Sequence, residues 1–387
     1  MKWGTRLLHN GNEVDPVTGA ASVPLYQAST FHQPDVDTPV NYDYARSGNP
    51  TRFALEQTIA ELEEGRRGFA FASGMAAIST VFLLFSSGDH LVVSRDLYGG
   101  TYRVLTKVLS RLGISATFVD TTDLDQMEEA IQPCTRAIYI ETPSNPTLKV
   151  TDLAKSSEIA GRHGLLTIVD NTFLTPCFQR PLHLGADIVI HSATKFISGH
   201  SDVVSGLVVV KDELMAERMS FLQNSLGSVL GVQDSWLTMR GLKTLKARME
   251  LTSASAMKIA EYLQELPGVK RVYYTGLPDH PGKCLQEAQA TGHGAVLSFE
   301  LSSGEAVRHV LSRVRLPLIA VSLGAVESIL SYPAKMSHAA MSEEERQSRG
   351  VTDGLLRLSV GLEETEDLIQ DLEQALKKSR FVSIGQE

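Results

Sequence analysis

The chain is 387 residues long, 43% hydrophobic and 21% charged, which is ample material for more than one globular core. Its net charge of −9 argues against nucleic acid or an anionic membrane as the main partner, and apolar runs such as Val81–Phe85 are far too short to span a bilayer. The three cysteines, Cys134, Cys177 and Cys284, are scattered and form no CxxC, so neither a disulfide frame nor a metal site is expected. With no apolar stretch of signal-peptide length after Met1, we expect a cytoplasmic protein.

Residues 1–50 carry Pro16, Pro24, Pro34, Pro39 and Pro50 and little periodicity. They are too apolar for a disordered tail and cannot form a core alone, so they read as an arm that packs on something else, such as another subunit. From Thr51 helix and strand alternate. Leu55, Ile59 and Leu62 have helical spacing within Thr51–Gly65, and Met75–Phe85 also reads as a helix. His90–Ser94 reads as a strand, Gly100–Gly113 as a helix, Ser115–Asp120 as a strand and Leu124–Gln132 as a helix. Arg136–Thr142 (strand), Asp152–Gly164 (helix) and Leu165–Asn171 (strand) follow, and the strands Ala186–Ser192 and Leu207–Asp212 complete the set.

Short, unalternating strands separated by helices imply an α/β fold with a mostly parallel sheet covered on both faces. A long helical stretch, Gln233–Leu266, leads to a smaller α/β portion with strands at Val269–Tyr274, Ala295–Leu301 and Leu355–Val360 and a last helix over Glu366–Ser379. The expected division is an arm (1–50), a main domain (51–235) and a C-terminal α/β domain (236–387).

Ligands of such sheets bind beyond the carboxyl ends of strands, where several chemistry-bearing residues fall. Lys195 follows an apolar strand and sits among Ser192, Thr194, His200 and Ser201. Either it snorkels to solvent, or it is desolvated so that a neutral amine is available for a Schiff base. Asp170 ends another apolar strand. It is either a strand-end cap or a carboxylate facing a pyridinium nitrogen; pyridoxal phosphate enzymes need such a lysine and acid together. In Phe71–Ala77 a serine and a glycine open a helix, which is an anion site or an ordinary capped start. Tyr98, followed by two glycines, stacks on a flat ring or is a boundary tyrosine. Arg357, between leucines in a strand, needs a carboxylate to fork onto, from a substrate or from a structural acid. No GxGxxG follows the first strand, which counts against a dinucleotide-binding oxidoreductase.

The set YARSGNPT (from Tyr44), SGMAA (from Ser73), LYGGTYR (from Leu97), ETPSNP (from Glu141), VDNT (from Val169), HSATKFISGHSD (from His191) and LLRLSVGLE (from Leu355) resembles the Cys/Met-metabolism family of pyridoxal phosphate enzymes almost end to end. The resemblance implies pyridoxal phosphate fold type I (aspartate aminotransferase-like), with 51–235 as the cofactor-binding domain. It implies that Lys195 holds the cofactor covalently, Asp170 pairs with the ring nitrogen and Tyr98 stacks on the ring. Gly74, Met75, Ser192 and Thr194 would hold the phosphate, joined by Tyr44 and Arg46 of a neighbouring subunit in a homotetramer built from dimers. Asn145, Ser322 and Arg357 would hold the carboxylate of a small sulfur amino acid.

Within the family, Gly100 stands where methionine γ-lyases carry cysteine, and Val321 stands where many γ-acting members carry glutamate. Asp43 keeps an acid that could meet a distal ammonium. These features imply β-elimination of L-cystathionine to homocysteine, pyruvate and ammonia. Cystathionine γ-lyase or cysteine/homocysteine desulfhydrase activity is the runner-up, ahead of γ-synthase or methionine γ-lyase activity.

Overall fold

The computed structural model describes residues 1–11, 13–339 and 341–377. Seven strands, β1 (Arg67–Phe71), β2 (His90–Ser94), β3 (Ser115–Val119), β4 (Thr135–Glu141), β5 (Leu166–Asp170), β6 (Ile188–His191) and β7 (Gly206–Val210), form one sheet in the order β1-β7-β6-β5-β4-β2-β3. Only β7 runs against its neighbours. Strands such as β2, β6 and β7 are buried at every residue, because helices cover both faces. The carboxyl ends of β2, β4, β5 and β6 therefore open on one edge, at Ser94, Glu141, Asp170 and His191.

A second sheet holds β8 (Val269–Tyr273), β9 (Val296–Leu301), β10 (Leu318–Ile319), β11 (Ile329–Ser331) and β12 (Leu355–Ser359) in the order β10-β11-β12-β9-β8. Its pairs are antiparallel except β10 with β11. The helix Leu245–Glu265 links the two sheets through its buried face. Leu245 and Met249 pack in a cluster with Ala70 and Leu207, whereas Ala256, Ile259 and Leu263 pack with Leu297 and Leu356.

The structure corrects the sequence reading in several places. The expected single helix Gln233–Leu266 is two helices, Val232–Leu242 and Leu245–Glu265, parted at Lys243 and Thr244. Just before the break, Gly241 presses on the turn after Lys195, where an added Cβ would lie 2.2 Å from the Ser198 carbonyl oxygen. β1 was not expected as a strand, because Arg67 and Gly68 begin it. Gly68 is needed there: a Cβ would meet the Glu56 carbonyl oxygen at 2.2 Å. The arm opens with a helix, Trp3–His9, too short for its period to be read, that buries Leu7. β10 and β11 are likewise too short to stand out. The last helix covers Thr365–Leu376; Lys378 and Ser379 of the expected span lie outside the described residues.

Arg248 locks the helix pair onto the Lys195 turn. Its guanidinium donates to the carbonyls of Phe196 (2.6 Å), Ile197 (3.3 Å) and Gly241 (2.8 Å), and its Nε donates to Thr244 Oγ1 (2.9 Å). Burial lowers its pKa to about 10, which leaves it charged at any ordinary pH. Arg248→Ala strands these carbonyls and should lower stability by about 2–4 kcal/mol. Urea unfolding at saturating cofactor measures the loss. Lysine at 248 should restore only part of it, since one ammonium cannot span the same acceptors.

Candidate active site

A cavity of about 510 Å³ opens at the carboxyl edge of the large sheet, and Lys195, Asp170, Arg357, Tyr98, Ser192 and Gly74 all line it. Its floor is an anion cradle. The helix Gly74–Phe82 begins there, with Ser73 Oγ accepting from Ala76 N–H, so the first-turn N–H groups of Gly74 and Met75 point outward with the helix's positive end. Position 74 must be glycine, because an added Cβ would lie 2.9 Å from the Ser192 side chain. Thr194 Oγ1 is tied to the main chain of Ser205, and Ser192 N–H donates to Thr172 Oγ1 at 2.8 Å.

Above the cradle, the Lys195 amine donates to Ser322 Oγ at 2.6 Å. Burial, and then the neighbouring Arg357 guanidinium, lower Lys195 to about 8. Ser322 adopts φ +90°, a costly backbone for serine, and its carbonyl accepts from Arg357 Nη2 at 2.5 Å. Arg357 itself is buried. It donates also to Asn145 Oδ1 (2.9 Å) and Ser331 Oγ (3.2 Å), all neutral acceptors, and it makes no ion pair among the described residues. The structural-acid alternative for Arg357 thus finds no acid in contact.

Asp170 lies in the same cavity. It accepts from Thr172 Oγ1 (2.6 Å), Thr172 N–H (3.1 Å) and the Tyr139 hydroxyl (3.3 Å). Burial raises its pKa and these donors pull it back. Beside it is Glu141, whose Oε2 accepts from Tyr98 N–H at 2.8 Å. Tyr98 forms a wall, 41% exposed. Its ring and Met75 crowd position 100, where a Cβ would meet Tyr98 Cε1 at 2.3 Å and Met75 Sδ at 2.8 Å.

Of the cofactor- and substrate-holding residues that the resemblance implies, all line this cavity except Tyr44 and Arg46; Asp43, on the same arm, does not line it either. Tyr44 and Arg46 lie on the exposed arm: Arg46 sits 5.3 Å from the Tyr44 ring centroid and donates to Asn224 Oδ1 at 3.2 Å. Sequence reading missed Glu141, Arg103, Thr172 and Ser337, which also line the cavity. Glu141 shares with Asp170 the signal of an acid closing an apolar strand; Arg103 and Ser337 give none. Among the described residues no cluster suits a metal ion, and no helix is long and apolar enough to cross a membrane.

An anion cradle, a partly desolvated lysine and a buried carboxylate in one cleft fit pyridoxal phosphate in its phosphate, aldehyde and ring nitrogen. They define the class, an α/β pyridoxal phosphate enzyme. The chain belongs to the Cys/Met metabolism PLP-dependent enzyme family, which matches residues 4–377. It is 60% identical over 380 residues to cystathionine beta-lyase MetC of Bacillus subtilis, covering 98% of this chain and 97% of that one. It is 55% identical to cystathionine gamma-lyase of the same organism, covering 97% and 100%. The solved structure of cystathionine gamma-lyase from Lactobacillus plantarum, complexed with L-serine, superposes with a TM-score of 0.94 at 48% identity and covers 97% and 98% of the two chains. The fold is the expected fold type I, and the cofactor is pyridoxal phosphate.

Borohydride reduction of the loaded protein followed by peptide mapping should find the cofactor on Lys195; a label on another lysine overturns its placement. In the cofactor-free protein Lys195 must lose a proton to react. Reconstitution with pyridoxal phosphate should therefore accelerate with rising pH, about tenfold per unit at low pH, and level off above about 8.

Proposed function

We propose that the protein is a carbon–sulfur lyase that cleaves L-cystathionine at its β carbon, giving homocysteine, pyruvate and ammonia. The observation that carries this reading is the bridge at Ser322, whose hydroxyl meets the Lys195 amine and whose carbonyl meets the Arg357 guanidinium. A carboxylate forked onto Arg357 would bring the α carbon of an amino acid beside the amine.

When bound, pyridoxal phosphate withdraws electrons from the bonds of the amino acid's α carbon. The chain's own residues supply the rest. The phosphate would be held by Gly74 and Met75 N–H groups and by Ser192 and Thr194, completed by Tyr44 and Arg46 of a neighbouring subunit. Tyr98 would stack on the ring and Asp170 would keep its nitrogen protonated. Asn145, Ser322 and Arg357 orient the substrate carboxylate, and Lys195 takes the α proton. Arg103, a second guanidinium lining the cavity, suits the distal amino-acid head of cystathionine, with Asp43 of the neighbour facing its ammonium.

Loss of the β thiolate needs one proton removed from carbon; γ-elimination needs a second, from the β carbon. Val321, 63% exposed and lining the cavity, offers neither charge nor hydrogen bond for that second transfer. The similarity to a cystathionine beta-lyase supports the β reading, and the crowding at Gly100 disfavours a methionine γ-lyase-like cysteine there. The second reading, γ-elimination, draws on the 55% identical gamma-lyase.

We also propose the division into arm (1–50), cofactor-binding domain (51–235) and C-terminal domain (236–387), a homotetramer built from dimers, and a place in the cytoplasm.

Product analysis with L-cystathionine separates the readings: pyruvate marks β cleavage and 2-oxobutyrate marks γ cleavage. Val321→Glu should shift the ratio toward 2-oxobutyrate, whatever happens to the total rate. An unchanged ratio in a folded, loaded variant places selectivity elsewhere. For the shared site, Arg46→Ala and Lys195→Ala proteins should each be nearly inactive, and reassembled hybrids should regain activity. Hybrids that form yet stay inactive would put the phosphate contact within one chain.

A further inference from the structure

Glu141 is a cleft carboxylate without a role in the chemistry described above. It ends β4 as Asp170 ends β5, and the two are register partners in adjacent parallel strands. Such strands lie about 4.8 Å apart with partner side chains on the same face, and both carboxyls line the cleft. Each residue is 6% exposed. Neither makes an ion pair among the described residues: Arg357 is occupied by Asn145, Ser322 and Ser331, and His191, fully buried, pairs with Glu63 at 2.6 Å. Two buried carboxylates on partner positions of adjacent strands disfavour each other's charged form.

The surroundings decide where the proton stays. Asp170 receives two bonds from Thr172 and one from Tyr139, and His191 acts on it from β6. Glu141 receives only main-chain N–H groups, from Tyr98 and Asn145, and it faces two other acids, Asp170 and Asp96, with Tyr139 and Arg357 nearby. Burial first, and then Asp170, hold Glu141 well above the usual carboxylate range. An anion is therefore favoured at Asp170 and a neutral acid at Glu141.

We propose that Glu141 and Asp170 hold one proton between them, carried by Glu141, and that Glu141 is a positioning acid. Its neutral carboxyl fixes the main chain of Tyr98 and leaves the negative charge that would face the ring nitrogen on Asp170. The inference rests on the role of Asp170 given under the proposed function.

The test is infrared spectroscopy of cofactor-loaded protein whose glutamates are isotope-labelled at the side-chain carboxyl, in water and heavy water at neutral pH. The wild type should show a labelled, deuterium-sensitive carbonyl band of a protonated acid that Glu141→Gln lacks. If the glutamine variant does not fold, Glu141→Asp removes the label from that position equally well. Absence of the band in the wild type, or its survival in both variants, overturns the shared proton. Glu141→Gln keeps an acceptor for Tyr98 N–H and should lose turnover only a fewfold, whereas Asp170→Asn should lose several powers of ten. A loss in Glu141→Gln as deep as that of Asp170→Asn, with cofactor bound, also overturns the proposal. Near-normal turnover in Asp170→Asn overturns the parent reading instead, whatever the band shows.

Discussion

Lys195 and Arg357 meet at one serine, the hydroxyl of Ser322 taking the amine and its carbonyl taking the guanidinium. Burial penalises the lysine's charge first, and because arginine does not give up its proton at any ordinary pH, the second buried cation adds to that penalty; together they bring Lys195 down to about 8. The geometry must be held for this to work. Gly324 presses so close that a Cβ would lie 2.5 Å from Phe196 N, while Arg248 grips the Phe196 and Ile197 carbonyls from the other side. The lysine's main chain is thus clamped, and its long side chain has one polar anchor.

The small sheet enters the site through a few adjoining positions. Arg357 sits mid-strand in β12, paired in register with Ser331 on β11 and Ser298 on β9. Ser298 Oγ donates to the Pro146 carbonyl at 2.7 Å, and Arg357 binds the side chain of Asn145 one residue earlier. Neighbouring strands of the small sheet therefore grip the loop that leaves β4. Asp96 grips it from beneath, accepting from Ser144 at 2.7 Å and from Thr147. The helix Leu245–Glu265, whose buried face runs from one core into the other, keeps the two sheets in this relation.

Much of this was legible in the sequence because it is local. Lys195 and Asp170 each follow an apolar strand, Ser73 and Gly74 open a helix, and Arg357 lies among leucines. Each is a polar residue where its segment's burial makes polarity expensive. What stayed hidden depends on distant chain. Arg248 reaches the Lys195 turn across 52 residues, and nothing near it marks a buried cation. Arg103 and Ser337 join the cleft only through tertiary packing. Glu141 carried the same local sign as Asp170, yet its meaning depends on strand order: β4 and β5 had to be neighbours before two acids became a pair. The helix break at Lys243 and Thr244 was hidden too, because the apolar pattern runs through it.

The balance of charge in the cleft connects the proposed roles. With Glu141 neutral, Arg357 and Asp170 carry the opposing charges at the reacting end. An amino acid's carboxylate matches the first, and a protonated ring nitrogen matches the second. The phosphate end is different. Its cradle within this chain consists of neutral donors, the N–H groups of Gly74 and Met75 and the hydroxyls of Ser192 and Thr194. A helix N-terminus offers roughly half a positive charge, whereas a phosphate group carries roughly −1.5 to −2 at pH 7. The cradle alone leaves that charge under-compensated in a partly enclosed site. Arg46, displayed on an exposed arm beside Tyr44 and bound by nothing stronger than Asn224, is the kind of cation such a cradle lacks. A neighbouring copy that brings it in would complete the cofactor site and cover the arm in the same step.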